Sequence, residues 1–159
     1  MTVIRKAIAS DIPSLKKVLT SIELFPSEML DDMMADYLHD DNPGDIWLTA
    51  VIEDVPVGMA YCAPEKLTEG TYNLHAIGVK ADLQGIGLGS AIITQIEKEL
   101  TLQGQRLLIV DTSGTAAYDK TRDFYTRLGY RQEAVIRDFW ADGDDKITFT
   151  KGLKEIQDS

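Results

Sequence analysis

A glycine-rich segment near the middle of the chain has the residue types and spacing of an anion-binding site. Its members are Gln84, Gly85, Ile86, Gly87, Leu88, Gly89 and Ser90. The segment follows a strand-like run and opens a helix-like run, so the first backbone N–H groups of that helix lack internal acceptors, and the helix dipole favours an anion there. Glycine is needed where the backbone approaches a phosphate closely or adopts a positive φ. The segment therefore predicts a pyrophosphate-binding loop.

Two other phosphate-binding patterns fit this segment less well. A Rossmann dinucleotide site needs Gly-x-Gly-x-x-Gly directly after a strand, with an acid about 20 residues further on. Gly85 and Gly87 fit that pattern and Asp111 lies at a suitable distance. However, Ser90 replaces the third glycine and the preceding turn is too long. A P-loop is excluded because no Gly-Lys-Ser/Thr follows.

The elements that position this loop follow from hydrophobic periodicity and turn residues. The predicted strands are Thr2–Ala7, Trp47–Glu53, Val57–Ala63, Thr71–Val79, Arg106–Asp111, Arg131–Trp140 and Lys146–Lys151. The predicted helices are one capped by Ser10, one carrying Met29 to Leu38, Gly87–Leu102, and Ala116–Leu128 stopped by Gly129. The order β-α-α-β-β-β-α-β-α-β-β predicts a mixed sheet with helices packed on it.

Length and charge narrow the class of protein. The 159 residues suit one domain spanning 1–159, and no apolar run reaches the length of a membrane span. The net charge of −10 argues against nucleic acid as a partner and permits a cationic substrate such as an amine. The single cysteine, Cys62, favours a reducing, cytoplasmic setting. His39 among Asp36, Asp40 and Asp41 is interpreted as a solvated helix end, so we expect no metal.

Two motifs together resemble the GNAT superfamily of acyl-CoA-dependent N-acyltransferases. Gln84, Gly87 and Gly89 match the family pattern Gln/Arg-x-x-Gly-x-Gly/Ala in register. Phe124-Tyr125 followed by Gly129-Tyr130 matches the second family motif. The element order also agrees, so the resemblance covers essentially the whole chain. It implies an α/β fold with a mostly antiparallel seven-stranded sheet, splayed between strands 4 and 5, and with helices on both faces.

The resemblance also implies how the co-substrate is bound. Acetyl-CoA is the expected donor, and its pyrophosphate is expected to contact the backbone N–H groups from Gly85 to Ser90. A backbone N–H at the end of the fourth strand, among Ile77, Gly78 and Val79, is expected to stabilise the oxyanion, with Val79 preferred. Arg122 is a further candidate, either for the CoA 3′-phosphate or for a substrate carboxylate. A solvated helix arginine is an equally good interpretation of Arg122.

Three side chains are candidates for proton transfer. Tyr125 occupies the position of the family's general acid. A phenol is protonated at neutral pH and can therefore donate a proton to a leaving thiolate. For the general base, His75 and Asp111 are alternatives. The strand around His75 is similar to one that carries catalytic histidines in arylalkylamine N-acetyltransferases, although Asn73 replaces the second histidine. Water is a third alternative, since many family members need no dedicated base.

The resulting hypothesis is an N-acetyltransferase that moves an acetyl group from acetyl-CoA to a primary amine by direct attack on the thioester. The acceptor is a small molecule or a protein amine, either an N-terminus or a lysine. The resemblance also implies a homodimer, since GNAT proteins often pair. A non-catalytic CoA-binding or sensor module is the alternative, with a nucleotide-dependent oxidoreductase less well supported.

Overall fold

The computed structural model describes residues 1–154, which contain seven strands and four longer helices. The strands are β1 Thr2–Lys6, β2 Ile46–Ile52, β3 Val55–Pro64, β4 Thr71–Val79, β5 Leu107–Ser113, β6 Arg131–Ala141 and β7 Asp144–Gly152. The helices are α1 Ile12–Ile22, α2 Leu30–His39, α3 Leu88–Leu102 and α4 Asp119–Arg127. This element order is the predicted one. None of the described helices is long and apolar enough to cross a membrane.

One seven-stranded sheet has the order β1-β2-β3-β4-β5-β7-β6. The pairs β1–β2, β2–β3, β5–β7 and β6–β7 are antiparallel, whereas β4 and β5 run parallel. The parallel pairing joins Thr71–Leu74 to Leu107–Val110, and both strands continue beyond it. These strand directions confirm the predicted fold class, a mostly antiparallel seven-stranded sheet.

The described chain forms two compact units. The first contains Met1–Pro64 and His75–Glu99, and the second contains Glu65–Leu74 and the described residues from Leu100 to Lys154. In the first unit, Trp47 of β2 and Met59 of β3 share a buried cluster with residues of α1 and α2. Gly58, the neighbour of Met59, points the other way, and a Cβ there would lie 3.1 Å from Ile92 of α3. Because successive strand residues face opposite sides, helices cover both faces of this part of the sheet.

Three predictions at the ends of elements need correction, and the other predicted ends move by at most two residues. Ser10 is not the cap of α1; the carboxylate of Asp11 instead accepts the backbone N–H of Ile8 at 2.8 Å. Helix α4 begins at Asp119 rather than at residue 116, because Tyr118 has ψ of 13°, outside the α-helical range. Strand β5 runs on to Ser113, since polar Thr112 and Ser113 continue its pairing with β7. Asp111 therefore lies within the strand and not at its end.

Candidate functional site

The predicted anion-binding loop leaves the end of β4 and is held by hydrogen bonds at its base. The backbone N–H of Lys80 donates to the Val57 carbonyl at 2.8 Å. The Gln84 side chain, the first residue of the glycine motif, donates through Nε2 to the Val79 carbonyl at 3.1 Å. Gln84 thus ties the loop back onto the strand end, which sets where the following glycines lie.

Two glycines of this loop have backbone conformations that explain their residue type. Gly85 has φ of +83° and Gly87 has φ of +90°, a region that other residues adopt only with strain. A Cβ added to either residue would meet no atom within 4 Å, so the space beside them is open. Ile86 between them is exposed, whereas Leu88 is buried and anchors the start of α3. Glycine is therefore required here by backbone shape and not by crowding.

The amino end of α3 supplies the free donors that the sequence predicts. The helical ladder starts with the Ala91 N–H donating to the Gly87 carbonyl at 3.0 Å. The N–H groups of Leu88, Gly89 and Ser90 precede that bond and have no intrahelical acceptor. They directly follow the exposed residues Gly85, Ile86 and Gly87 and lie at the positive end of the helix dipole. A negatively charged phosphate group fits this arrangement.

The strand leading into the loop is tightly packed at Gly78. A Cβ on Gly78 would clash with the Ile22 side chain at the end of α1. Gly78 and Val79 are buried, while Ile77 is partly exposed. Because Gly78 has no side chain, the end of α1 can pack directly against the backbone of β4, where the oxyanion donor is expected.

His75 lies at the exposed end of a row of three rings. Its ring is 5.3 Å from that of Tyr61, which stacks on buried Trp47 at 4.3 Å and 9°. The Tyr61 hydroxyl donates to Asp45 Oδ2 at 3.2 Å. Burial, together with the negative charge of Asp45, raises the pKa of Tyr61 to about 12. His75 is thus accessible to a substrate, and the neighbouring phenol stays neutral and does not compete as a base at physiological pH.

Tyr125 is buried on α4, in the second unit. Its ring packs against Tyr130 at 5.7 Å and Phe149 at 5.8 Å, and 3% of the residue is exposed. Burial raises the pKa of Tyr125 above its ordinary value of 10. No other described residue hydrogen-bonds its hydroxyl. The phenol is therefore protonated at neutral pH, as a general acid must be, and no other residue within 1–154 engages its hydroxyl.

Asp111 belongs to a polar row across β4, β5 and β7. Its Oδ1 accepts the Thr148 hydroxyl at 2.6 Å, and Asn73 Nδ2 approaches its Oδ2 at 3.5 Å. Asn73 also donates to Glu65 Oε1 at 2.8 Å. Asp111 is half-buried, and Asn73 is buried. The hydrogen bond from Thr148 restricts the orientation of the carboxylate, which suits a group that must accept a proton from a positioned substrate.

Arg122 braces the connection between β5 and α4. Its guanidinium donates to the carbonyl oxygens of Ser113 at 2.7 Å and Thr115 at 2.9 Å, and it pairs with Asp119. These contacts use several of its five donors. The interpretation of Arg122 as a contact for CoA or for a substrate carboxylate stays a prediction.

The candidate residues divide between the two units. The glycine loop, the end of β4 and His75 belong to the first unit, and Asp111, Arg122 and Tyr125 belong to the second. Sequence reasoning missed Thr148, which hydrogen-bonds to Asp111, and Glu65, which hydrogen-bonds to Asn73. The only sequence signal for Thr148 is its place in a strand, because its alignment with Asp111 depends on the register of β5 and β7.

Comparison with known proteins decides the family. The sequence model of the acetyltransferase (GNAT) family matches residues 12–130, a range that includes both the glycine loop and helix α4 with Tyr125. The chain belongs to the GNAT family. A protein of Desulfovibrio desulfuricans, described as a GNAT-family acetyltransferase, has a crystal structure that aligns with a TM-score of 0.90 and 32% identity. That alignment covers 96% of this chain and 99% of the other.

Two further proteins are more distantly similar to this chain. A Salmonella typhimurium acetyltransferase, solved with acetyl-CoA as its cofactor, aligns with a TM-score of 0.81 at 17% identity, covering 100% of this chain and 98% of its own. An uncharacterized N-acetyltransferase of Methanocaldococcus jannaschii is 28% identical over 85 residues, 52% of each protein. The matched region thus spans about half the length of that curated relative.

Proposed function

We propose that this GNAT protein is a cytoplasmic acetyl-CoA-dependent N-acetyltransferase that acts as one domain on a primary amine. The observation that carries the proposal is the loop at the start of α3. It combines two positive-φ glycines with three helix N–H groups that have no intrahelical acceptor. A pyrophosphate bridge is the anion that such a loop binds in an acyl-CoA enzyme.

The residues present fit acetyl-CoA. Gly85 and Gly87 leave open space where any side chain would stand, so a ligand can approach the backbone. The N–H groups from Gly85 to Ser90 would hold the pyrophosphate, and the end of β4, at Ile77, Gly78 or Val79, would donate to the thioester oxygen. When bound, acetyl-CoA supplies an acetyl group activated as a thioester.

The amine must lose a proton before it attacks, and the chain offers two groups that can accept it. Asp111 is a half-buried carboxylate oriented by the Thr148 hydroxyl. His75 is exposed beside Tyr61 and is reachable by solvent and substrate. We propose Asp111 as the base, since its orientation is fixed by a 2.6 Å hydrogen bond, with His75 and bulk water as the alternatives that mutation separates.

The leaving thiolate needs a proton, and Tyr125 is the proposed donor. Its hydroxyl makes no hydrogen bond to another described residue, and burial keeps it protonated. Donation of a proton by a positioned acid contributes roughly 10²- to 10⁴-fold in rate. Arg122 supports the start of α4 through Ser113 and Thr115, so its replacement would act on Tyr125 indirectly.

The acceptor is proposed to be a cationic amine, either a small molecule or a protein N-terminus or lysine. A chain with a net charge of −10 attracts cations and repels the phosphate backbone of nucleic acids. We propose no membrane association either. Asp45 beside Tyr61, and Glu65 in the polar row of Asp111, add local negative charge to the overall charge of the chain.

Ligand binding tests the loop directly. A ligand that binds only the folded state raises the melting temperature as its concentration increases. We expect acetyl-CoA and free CoA to raise it, and NAD to leave it unchanged. Gly87→Ala should weaken the response to acetyl-CoA because a Cβ at φ of +90° distorts the loop. Gly152→Ala is the matched control, since that glycine has open surroundings and no positive φ.

Turnover is measured separately, by release of CoA thiol in the presence of a panel of amines. Amine-dependent release would support the proposal, with the amine identifying the acceptor class. Stabilisation by acetyl-CoA without release for any amine would favour a binding or sensor module. No stabilisation by either CoA species would refute the loop assignment, and stabilisation by NAD alone would favour a dinucleotide site.

A further inference from the structure

The turn after α1 brings two apolar side chains onto strand β4. Helix α1 ends at Ile22, and Glu23 then adopts a left-handed backbone conformation with φ of 53°. Ile22 and Leu24 both lie beside Gly78, since a Cβ on Gly78 would overlap Ile22 Cδ1 and would lie 3.4 Å from Leu24 Cδ2. These contacts place an apolar pair, Ile22 and Leu24, against the backbone near the end of β4.

Contacts on both sides hold the apolar pair in place. Before it, the Ser21 hydroxyl accepts the backbone N–H of Ala81, which follows β4, at 3.2 Å. The same hydroxyl donates to the Val18 carbonyl within α1 at 2.7 Å. After it, Phe25 packs against the buried cluster of the first unit. The apolar pair is therefore anchored both to the segment after β4 and to the core.

The apolar pair borders open space, whereas the opposite face of the sheet is filled at this point. Leu24 is 41% exposed and Ile22 is partly exposed. On the opposite face, a Cβ on Gly58 would lie 3.1 Å from Ile92 of α3 and 3.4 Å from the Gly78 carbonyl oxygen. Ile92 itself is fully buried. A group bound to the backbone near Gly78 therefore has room only on the side of the apolar pair.

The proposed function puts the thioester beside this pair. A backbone N–H of Ile77, Gly78 or Val79 would donate to the thioester oxygen. With a donor–acceptor distance of about 2.9 Å, the first carbon of the acyl chain beyond the carbonyl lies within roughly 5 Å of the donor nitrogen. An acetyl group ends at that carbon, whereas a longer acyl chain must continue into the space that the apolar pair borders.

We propose that Ile22 and Leu24 form the wall of an acyl pocket and restrict the donor to acetyl-CoA. Side chains held against Gly78 leave room for the methyl of an acetyl group but meet the further carbons of a propionyl or butyryl group. In an apolar pocket one methylene changes kcat/KM by roughly 10- to 200-fold. This role rests on the proposed function, because it requires the thioester at the end of β4, and it adds a selectivity that acetyl transfer itself does not require.

A series of donors tests this selectivity. Thiol release is measured with acetyl-, propionyl- and butyryl-CoA, using the amine that gives the fastest release with acetyl-CoA. In the wild type, kcat/KM should fall about tenfold or more from acetyl- to propionyl-CoA. Ile22→Val removes only Cδ1, the atom that a Cβ on Gly78 would overlap, and should raise the propionyl-to-acetyl ratio of kcat/KM severalfold. Leu24→Ala should raise the butyryl-to-acetyl ratio in the same way.

Leu102→Ala is the control for Leu24→Ala, because it makes the same change at a residue that is 75% exposed at the end of α3. Its donor ratios should equal those of the wild type, and circular dichroism verifies that each variant is folded. A wild type that uses butyryl-CoA as well as acetyl-CoA would overturn the acyl pocket. So would folded variants at Ile22 and Leu24 that both keep the wild-type ratios. Either result leaves the proposed function intact, since acetyl transfer is still observed.

Binding measurements test the pocket even if no amine of the panel is acetylated. Isothermal titration calorimetry gives the dissociation constants of free CoA, acetyl-CoA and butyryl-CoA. The wild type should bind butyryl-CoA more weakly than acetyl-CoA, and Ile22→Val and Leu24→Ala should reduce that difference. Equal affinities of the wild type for the two acyl-CoA species would overturn the pocket alone. Failure to bind even free CoA would instead refute the loop assignment, and with it both the proposed function and the pocket.

Discussion

Tyr125 and Tyr130 are joined by the turn that ends α4. The backbone N–H of Tyr130 donates to the carbonyl of Tyr125 at 3.0 Å, and Gly129 N–H donates to Thr126 at 3.1 Å. Gly129 has φ of +91°. This is the Schellman arrangement, which brings the side chain after the glycine onto the last helical turn. It accounts for the sequence motif, since Phe-Tyr must be followed by Gly-Tyr at this spacing for the two phenol rings to pack at 5.7 Å.

Replacing the glycine of this turn should disturb both stability and catalysis. Gly129→Ala is expected to lower the free energy of unfolding by about 1 to 2 kcal/mol, the cost of a left-handed conformation for a residue with a Cβ. Crowding contributes little, because the nearest atom to that Cβ would be Lys151 Cε at 3.7 Å. Urea unfolding gives the stability and thiol release gives the rate. Equal stability of the variant and of wild type would show that the turn does not depend on glycine.

Removing the Tyr125 hydroxyl should separate chemistry from binding. Tyr125→Phe keeps the buried ring and its packing, so we expect kcat to fall about a hundredfold while the affinity for acetyl-CoA is unchanged. Because burial raises the pKa of Tyr125 above 10, its deprotonation should produce no fall in rate between pH 6 and pH 9. Tyr118→Phe is the control, a tyrosine that is 45% exposed before α4. Unchanged kcat in Tyr125→Phe would remove this residue from the mechanism.

Features fixed by neighbouring residues were predictable from the sequence. The glycine loop, the end of α4 at Gly129 and the order of elements all depend on contacts within a few positions, and the sequence analysis placed them correctly. Boundaries were less predictable where polar residues continue an element. Strand β5 extends through Thr112 and Ser113 because β7 supplies partners, and no local pattern indicates this.

The polar row around Asp111 shows the limit of sequence reasoning more clearly. Asp111 and Thr148 are 37 positions apart, and their contact depends on which residues of β5 and β7 stand opposite. A shift of one residue would turn Thr148 to the other face of the sheet. Alternation predicts which residues share a face within one strand, but the register between strands is a property of the folded sheet.

The contact between Thr148 and Asp111 leads to a graded prediction. Asp111→Asn should reduce kcat by roughly 10²-fold or more if this carboxylate is the base. Thr148→Val removes one hydrogen bond to a charged group, worth about 1.5 to 3 kcal/mol, and should reduce kcat by roughly tenfold or more with little effect on the KM for acetyl-CoA. Thr148→Ser retains the hydroxyl and should recover most of the rate.

A parallel substitution at His75 distinguishes the bases. His75→Gln should leave kcat within a few-fold of wild type if Asp111 accepts the proton. A large loss in His75→Gln with an active Asp111→Asn would assign the base to His75 and make Thr148 a structural residue. Nearly full activity in both variants would indicate that water accepts the proton.

The ion pair between Arg5 and Asp11 predicts how stability depends on pH. The Arg5 guanidinium donates to both carboxylate oxygens of Asp11, at 2.7 and 2.9 Å, and Asp11 is buried. These hydrogen bonds, with that from Ile8 N–H, hold the pKa of Asp11 below its ordinary value of 3.8 despite its burial. A lowered pKa means that the folded state favours the ionised carboxylate, so this contribution is present above about pH 4 and is lost as the pH falls through the lower folded value.

Asp11→Asn should therefore destabilise the protein near pH 7 by about 1 to 2 kcal/mol, allowing for the partial exposure of Arg5. The difference from wild type should shrink as the pH falls below 4, because wild-type Asp11 is then protonated as well. Urea unfolding at a series of pH values measures this difference. Asp32→Asn removes an exposed carboxylate from the first turn of α2 and should show a smaller effect at pH 7. A difference that stays constant down to pH 3 would mean that lost packing, and not lost charge, explains the destabilisation.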